Sequence, residues 1–389
     1  MEAAAAAGAS EDEIKSTLND KCTFGLVISG REGGLLESDL TNVLLRTNSS
    51  RGNFISLDAG ILLSGIYKFV SSETNNQTFI KLLFPNLPSW LSSVDMSSLK
   101  TTSEKNQYYL SLSGYIMKQF ILGYFIGHAH LDHLSGLVIS SPEGTFMDTS
   151  TKDYQIPSSK RIITSTEVIS AINSSLFNDK VWPDIPKYTP WYQYQPIEHN
   201  INYYVNDLIY MSPNSFNPKI DTHQLIGSNY LFSDTTVKSF SLCHSLPSAA
   251  FLFEHDNVQL IFFSDTGSNT YSSCDWRSKI TAVWNAVDIS KLRVIIIEVS
   301  FTNEAQDSEL YGHMRPKDLV LILKELSNLK GDKLSSLTIV VTHIKPTFTS
   351  TFSESAQVLI QKQLQSGLKE ASLDCAVTIP EQGQFLCFY

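Results

Sequence analysis

The segment from residue 128 to residue 133, His-Ala-His-Leu-Asp-His, constrains the fold of this chain more than any other stretch. It follows directly on the apolar run Ile121–Gly127, which is typical of a buried β-strand. Side chains packed this densely cannot all reach one metal ion without strain, but they can bind two ions a few ångströms apart. The segment therefore predicts a two-metal centre. One ion would be bound by His128 and His130, and the other by Asp132 and His133.

Ligand-type residues also follow three later segments that the sequence pattern predicts as β-strands. Three or four protein ligands per ion are typical of such centres, so further ligands are required. His244 is predicted to complete the first ion's set and His343 the second, while the two oxygens of Asp265 can bridge both ions. The preceding strands are predicted at Val237–Leu242, Val258–Phe263 and Leu337–Val341. Imidazole and carboxylate ligands predict a pair of divalent ions as cofactor, with Zn²⁺ preferred.

A fourth strand-end residue, Asp58, follows the run Phe54–Leu57. The residues already assigned complete the ligand sets of both ions, so no ligand position is left for Asp58. We therefore predict that Asp58 accepts a hydrogen bond from a ligand imidazole and fixes the tautomer of that ring. Three other histidines, His199, His223 and His255, lie outside any such context, and no role is assigned to them.

Strand-like runs fall into two groups along the chain, one before residue 130 and one after residue 236. Helical patterns such as Trp276–Val287 and Pro316–Leu326 lie between the later strands. Two β-rich halves with interspersed helices predict an α/β fold in which two mixed sheets pack face to face with helices outside, the αββα sandwich.

The order of these residues resembles the five-motif signature of the metallo-β-lactamase superfamily. Within that superfamily, the chain is most similar to the class II 3′,5′-cyclic-nucleotide phosphodiesterases of the fungal low-affinity type. One departure is Cys243-His244-Ser245, where the family pattern has Ser-His-Gly. The resemblance covers the chain from about Cys22 to the C-terminus. The stretches that carry it are Gly33–Glu37, Ser56–Gly60, His128–Leu137, Leu176–Pro183, Glu298–Phe301, Leu310–His313 and Thr342–Pro346.

The resemblance implies a metallo-β-lactamase-type sandwich and the hydrolysis of cyclic AMP, and also of cyclic GMP, to the nucleoside 5′-monophosphate. The implied nucleophile is a hydroxide that bridges the two ions. The implied catalytic residues are Asp132, Glu298 and His313, with Glu298 holding His313 as a charged acid for the leaving O3′. The alternative is that Glu298 is an ordinary strand-end carboxylate and His313 a structural histidine. The family further implies a homodimer.

Two other classes of function are compatible with the same ligands. The fold can carry a different hydrolase, such as a tRNA 3′-end processing nuclease or a thioester or lactone hydrolase, or it can form a metal-stabilised scaffold without catalysis. The net charge of −10 and the pI near 5.4 count against a polynucleotide partner, because neutralising many phosphates requires a basic surface. No expected ligand is missing, which disfavours the scaffold.

The ligand positions also predict how the chain is divided. Residues that bind the same two ions must reach one cleft, so residues 21–389 are predicted to form a single catalytic domain. Residues 1–20, an alanine run followed by acidic and polar residues, are predicted to be a disordered tail. Residues 141–234 are predicted to be an insertion. Its aromatic side chains could stack on a base or pack within the insertion, among them Trp182, Trp191, Tyr192 and Tyr194.

The cysteine and apolar content predict the cellular setting. Five cysteines, an odd number without paired spacing, favour a reducing compartment over a disulfide framework. No apolar run approaches the roughly 20 residues that cross a bilayer. We therefore expect no membrane partner, a cytoplasmic location with the nucleus as a second one, and a small cyclic nucleotide as the partner, with no nucleic acid polymer.

Overall fold

The computed structural model of the chain describes residues 10–72, 75–144, 159–189, 191–210, 231–267, 274–346 and 354–389. The strands of the first sheet are β1 (Phe24–Gly30), β2 (Asn42–Thr47), β3 (Phe54–Leu57), β4 (Ile121–Phe125), β5 (Lys160–Thr164), β6 (Tyr192–Pro196) and β14 (Phe385–Phe388). Those of the second sheet are β7 (Asn202–Tyr204), β8 (Thr236–Leu242), β9 (Ser248–His255), β10 (Val258–Phe263), β11 (Leu292–Glu298), β12 (Thr338–Thr342) and β13 (Ala376–Thr378).

Both sheets are mixed. The strand order is β14-β1-β2-β3-β4-β5-β6 in the first and β13-β12-β11-β10-β9-β8-β7 in the second. Strands β3 to β6 are parallel to one another, and so are β10 to β13. The remaining pairs of neighbouring strands are antiparallel. Because the carboxyl ends of parallel strands lie at the same edge of a sheet, the residues that follow these strands are brought together.

Most helices cover the outer faces of the sheets. In chain order they are α1 (Glu11–Ser16), α2 (Leu63–Ser71), α3 (Gln77–Leu83), α4 (Ser89–Ser92), α5 (Thr102–Gln119), α6 (Leu131–Ser140), α7 (Thr166–Ser175), α8 (Ile185–Tyr188), α9 (Val205–Tyr210), α10 (Trp276–Ala286), α11 (Pro316–Lys330) and α12 (Ala356–Glu370). Helix α9 instead contributes Val205, Leu208 and Ile209 to the layer between the sheets. Local signals set the helix ends. α5 starts with a capping box between Thr101 and Glu104, and α11 starts with Pro316 in its first turn.

Three apolar layers hold the sandwich together. The middle layer lies between the sheets, where Phe125 of the first sheet makes edge-on contacts with Phe251 and Phe253 of the second. One outer layer joins the first sheet to helices that include α2, α5 and α6, and the other joins the second sheet to α10, α11 and α12. The predicted αββα sandwich of two mixed sheets is confirmed.

Two predicted segments differ from their description in the sequence analysis. Residues 11–16 of the expected tail form α1 and residues 17–21 a π-helical turn, because Ile14 and Leu18 are buried in the outer core of the first sheet. The range 141–234, expected to be an insertion, contributes β5 and β6 to one sheet and β7 to the other. Residues 1–9, 145–158 and 211–230 lie outside the described residues, and His223 is among them.

The aromatic residues of this range pack on the first sheet. Tyr192 is fully buried, and Trp182, Trp191 and Tyr194 lie partly buried against the same core, which favours the packing alternative over base stacking. The Trp182 indole N–H donates a hydrogen bond of 2.8 Å to Ser141 Oγ.

The cysteines are not all free thiols, contrary to the prediction. Cys22 is bonded to Cys387 and Cys243 to Cys274, with Cα atoms 5.3 and 5.8 Å apart, and Cys375 is buried and unpaired. Spacing could not reveal the first pair, because β1 and β14 bring together residues separated by 365 positions. No helix of the described residues has both the length and the apolar character that a bilayer crossing requires.

Candidate metal centre

The carboxylate of Asp265, directly after β10 and the following Ser264, lies at the centre of a cluster of imidazole rings. Its Oδ1 is 3.2 Å from His133 Nε2. Its Oδ2 is 3.2 Å from His343 Nε2, 3.4 Å from His128 Nε2 and 3.8 Å from His244 Nε2. Asp265 is buried, so this carboxylate faces nitrogen atoms from both sheets in place of water.

The segment 128–133 divides between a loop and a helix, which separates its side chains in space. His128 and His130 lie in the loop between β4 and α6, with His130 as the residue that caps the helix. Asp132 and His133 lie in the first turn of α6. Two ligands from the loop and two from the helix therefore approach Asp265 from different directions.

One group of potential metal ligands contains His128, His130, His244 and Asp265, whose ligand atoms all lie within 4.8 Å of one another. His130 Nδ1 and His244 Nε2 are 3.2 Å apart. This is the set that the sequence predicted for the first ion together with its bridging carboxylate.

A second group contains Asp132, His133 and His343, also within 4.8 Å of one another. Asp132 Oδ2 is 3.3 Å from His343 Nε2. His313 joins Asp265 and His343 in a further group of this kind, so the sequence-predicted residues are all brought to one site.

Three buried atoms at the centre of the site have no hydrogen-bond partner in the described part of the chain, namely His128 Nε2, His133 Nε2 and Asp265 Oδ2. Buried polar atoms are rarely left unpaired, because each costs about 1–3 kcal/mol. Here two imidazole nitrogens and a carboxylate oxygen point at the same space. A divalent cation would use all of them, so the residues present fit a metal site.

Asp58 holds two of these rings through hydrogen bonds on their far side. Its Oδ2 lies 2.7 Å from His133 Nδ1 and accepts a 2.8 Å hydrogen bond from Ser264 Oγ. The same Ser264 Oγ lies 3.0 Å from His128 Nδ1, so Asp58 reaches the second ring through this hydroxyl. The Gly127 N–H donates to Asp58 Oδ1 at 2.8 Å. A proton on His133 Nδ1 leaves the Nε2 lone pair directed at the cluster. The backbone of Asp58 is left-handed, with φ 53°, a conformation uncommon outside glycine.

Two further rings, those of His244 and His343, are oriented by groups that sequence reasoning missed. His244 Nδ1 donates to the carbonyl oxygen of Gly312 at 2.9 Å, and His343 Nδ1 lies 2.9 Å from Ser300 Oγ. Ser300 in turn donates to Glu298 Oε2 at 2.6 Å. Ser264 directly precedes Asp265 and Ser300 lies two residues after Glu298, so proximity in sequence was the available signal. The hydrogen bond to Gly312 uses a backbone carbonyl, which every residue has, so no residue type in the sequence indicates it.

Glu298 and His313 form a buried pair beside the cluster. His313 Nδ1 is 3.1 Å from both Glu298 oxygens and 3.7 Å from Asp265 Oδ2. Glu298 Oε1 also accepts a 2.8 Å bond from the Thr266 N–H. Burial alone would lower the pKa of His313, but the charges of Glu298 and Asp265 outweigh it, and the pKa is raised.

Burial lowers the pKa of some ligand rings, whereas for His133 the charges of Asp265 and Asp58 outweigh burial and raise the pKa. Burial lowers the pKa of His244 to about 3 and, together with the neighbouring His128, that of His130 to about 4. Both rings are therefore neutral at pH 7 and keep a lone pair for a cation. Burial would raise the pKa of Asp132 and of Asp265, but nearby histidines outweigh it and lower the pKa of both carboxyl groups.

Comparison with known proteins identifies the family. The sequence profile described as cAMP phosphodiesterases class-II matches residues 19–383. The chain belongs to this family.

The matched class-II relatives extend from bacteria to amoebae. The chain is 31% identical to cAMP/cGMP-dependent 3′,5′-cAMP/cGMP phosphodiesterase A of Dictyostelium discoideum, over 92% of this chain and 80% of that protein. It is 29% identical to a 3′,5′-cyclic-nucleotide phosphodiesterase of Aliivibrio fischeri, over 94% and 93%. This class-II phosphodiesterase is therefore an enzyme that acts on cyclic nucleotides.

Solved structures identify the fold. Unliganded yeast PDE1 superposes with a TM-score of 0.72 at 18% identity and covers 95% of this chain and 100% of its own. The metallo-β-lactamase fold protein YhfI from Bacillus subtilis gives 0.50 at 10% identity, over 94% and 99%. The class-II phosphodiesterase chain thus has the metallo-β-lactamase fold that the resemblance implied.

The glycine-rich loop of this phosphodiesterase leads to a first prediction. A Cβ atom at Gly33 would lie 2.3 Å from His343 Nδ1, and the ring is buried and bonded to Ser300. Gly33→Ala is therefore expected to displace the ring and reduce kcat/KM by at least about tenfold. Steady-state assay with cyclic AMP measures it.

Gly114→Ala is the matched control, because a Cβ there meets nothing within 4 Å. In the middle of α5 it is expected to keep activity and raise stability by about 0.5–1 kcal/mol. Wild-type kinetics for Gly33→Ala would contradict the contact between the loop and His343.

Proposed function

We propose that this enzyme hydrolyses cyclic AMP and cyclic GMP to nucleoside 5′-monophosphates at the cluster around Asp265. The observation that carries the proposal is that two groups of ligand atoms meet at one buried carboxylate, with unpaired His128 Nε2, His133 Nε2 and Asp265 Oδ2 between them. The names of the Dictyostelium relative support both nucleotides as substrates.

Two divalent ions would be held by the residues of this cluster. His128, His130 and His244 would bind the first, Asp132, His133 and His343 the second, and Asp265 would bridge them. Imidazole and carboxylate donors favour Zn²⁺ for both positions. When bound, such ions offset the charge of the phosphate and make water acidic enough to react near neutral pH.

The protein's own proton donor would be His313. Glu298 accepts a hydrogen bond from the Nδ1–H of His313, so the second proton of the charged ring is carried on Nε2. Once water has released one proton to solvent, the resulting hydroxide bonds to phosphorus, the P–O3′ bond breaks and the Nε2 proton passes to O3′. The neutral His313 ring then regains a proton from solvent. The raised pKa of His313 supports this role, because the acid must be charged before it reacts.

Product analysis tests the activity. Purified protein loaded with Zn²⁺ is expected to convert millimolar cyclic AMP to 5′-AMP, and His130→Ala or Asp132→Ala is expected to abolish turnover. Recovery of 3′-AMP would show that O5′ leaves instead of O3′. Intact cyclic AMP after prolonged incubation would contradict the proposal. A parallel panel of pre-tRNA, thioester and lactone substrates is expected to remain uncleaved.

Asp58 gives a prediction about metal affinity. Asp58→Asn removes the carboxylate that accepts from His133 and Ser264, so the two rings lose their fixed orientation. Metal affinity is expected to fall by about 10–100-fold, measured by competition with a chromogenic chelator.

Asp234→Asn is the matched control, because Asp234 contacts His255 at 3.4 Å outside the site. Equal affinities of Asp58→Asn and wild type would remove Asp58 from the proposal.

The remaining predictions concern assembly and setting. We propose that residues 21–389 form one catalytic domain, because the proposed ligands of residues 128–343 share one site. A homodimer is proposed on the family resemblance, and light scattering tests it against the monomer mass of 43.4 kDa. The cytoplasmic or nuclear location stays a prediction that cell fractionation tests. The lack of a nucleic acid partner stays a prediction that gel-shift assays test.

A further inference from the structure

A cavity of about 540 Å³ opens beneath α1, between the β2–β3 turn and α3. Arg51 and Gly52 line it and precede the first residue of β3, whereas Asp58 follows the last residue of that strand. The cavity therefore lies at the opposite edge of the first sheet from the metal centre.

The cavity is strongly basic in a chain that carries a net charge of −10. Lys15, Arg46, Arg51 and Lys81 line it, and Glu11 is the single acidic residue among the lining side chains. None of the four cations forms a salt bridge with a carboxylate within the described ranges. Basic side chains that outnumber the acidic ones in a concave surface attract anions.

Arg46 is the distinctive member because it is only 2% exposed. Arg46 lies on β2 and pairs with Gly25 of β1, and its side chain passes over that glycine. A Cβ atom at Gly25 would lie 2.9 Å from Arg46 Cγ. Two long hydrogen bonds are formed by its guanidinium, 3.3 Å to the Thr47 carbonyl and 3.4 Å to the Leu18 carbonyl. A guanidinium has five N–H donors, so most of this group's donors have no partner among the described residues.

A buried cation without an anionic partner is costly, and here burial lowers the pKa of Arg46 to about 10. A bound anion would remove that cost. Arginine favours phosphate in particular, because its planar fork donates two parallel hydrogen bonds to two oxygens.

We propose that this cavity is a second binding site, separate from the metal centre, for a small phosphate-bearing anion of nucleotide size. Arg46 and Arg51 would donate to the phosphate oxygens, and Lys15 and Lys81 would neutralise the remaining charge. The volume lies within the range of about 300–1,000 Å³ that small-molecule sites occupy. Gly52, Leu82 and Pro85 supply a less polar wall for the organic part of the ligand.

Isothermal titration calorimetry tests the site with two probes, ADP in excess Mg²⁺ and inorganic pyrophosphate. The variant is Arg51→Glu combined with Lys81→Glu, because Arg46 itself bonds the backbone of the fold. Each lost charge-assisted contact is worth roughly tenfold, so the probe that binds the cavity is expected to bind the variant at least about tenfold more weakly. Turnover of cyclic AMP is expected to stay within about twofold of wild type, since the variant leaves the metal centre intact.

The control variant, Lys100→Glu combined with Lys105→Glu, makes the same charge change on exposed residues beside and within α5. It is expected to bind both probes as wild type does. Binding that survives the Arg51/Lys81 reversal unchanged belongs to the metal centre and overturns the proposal. An equal loss in the control variant overturns it as well, because the effect is then one of net charge. Tighter binding of ADP than of pyrophosphate would identify a nucleotide rather than an inorganic anion as the preferred ligand.

Discussion

Asp265→Asn is expected to abolish cyclic-nucleotide hydrolysis, with kcat reduced by more than about 10³-fold. Among the described residues, Asp265 is the one that faces both groups of ligand rings, with Oδ1 3.2 Å from His133 of the second group and Oδ2 3.4 Å from His128 of the first. An amide keeps the shape but loses the charge and one of the two bridging oxygens. Both proposed ions would therefore be held more weakly, and the purified variant is expected to contain less than two equivalents of metal.

Elemental analysis after gel filtration measures the metal content, and circular dichroism confirms that the variant is folded. Asp256→Asn is the matched control, since Asp256 also contacts a histidine, His255, at 3.4 Å but lies outside the cluster. Full activity of Asp265→Asn, or full metal content without activity, would show that this carboxylate does not bridge two ions.

The second large effect is expected at His313. His313→Gln should lower kcat for cyclic AMP by about 10²–10⁴-fold, because O3′ is then expelled without a proton. The metal content is expected to stay at the wild-type level. A phosphodiester with a p-nitrophenolate leaving group needs no such proton, so the same variant is expected to hydrolyse bis(p-nitrophenyl) phosphate at nearly the wild-type rate.

The pH profile separates a proton donor from a structural histidine. Glu298 and Asp265 raise the pKa of His313 against the effect of burial, so the charged ring persists to higher pH than an ordinary histidine. Removing one of those charges by Glu298→Gln lowers the pKa of His313. The alkaline limb of kcat against pH is then expected to move to lower pH, and an unmoved limb would exclude the pair from proton transfer. Equal losses on both substrates for His313→Gln would assign it to the metal centre instead.

Strands beside the ligands were the part of the fold most readily predicted. Phe54–Leu57 and Val258–Phe263 have the predicted bounds, because both are apolar runs buried on both faces. The longest helix, Thr102–Gln119, was missed. Its first half is polar and its buried residues begin at Leu112, so the apolar period is weak. The capping box at Thr101 and Glu104 was the local signal that could have found it.

The site could be predicted as far as its side-chain ligands extend. Ligand residue types in a fixed order are visible in the sequence, whereas their hydrogen-bond partners depend on which strands meet. Ser264, Ser300 and the Gly312 carbonyl therefore could not be assigned before the fold was known. The left-handed backbone of His343, at φ 59°, is equally invisible, since histidine adopts that conformation more often than most residues but still rarely.

The arrangement of ligands across the two sheets has a consequence for stability. Asp58 and the residues of segment 128–133 belong to the first sheet, whereas His244, Asp265 and His343 extend from the second. Each ion would thus cross-link the two halves of the sandwich. A chelator should then lower the melting temperature as well as the activity, by the equivalent of about 2.7 kcal/mol for each ion present at a hundred times its Kd. In this enzyme, the stability of the folded chain would therefore depend on the concentration of metal available to it.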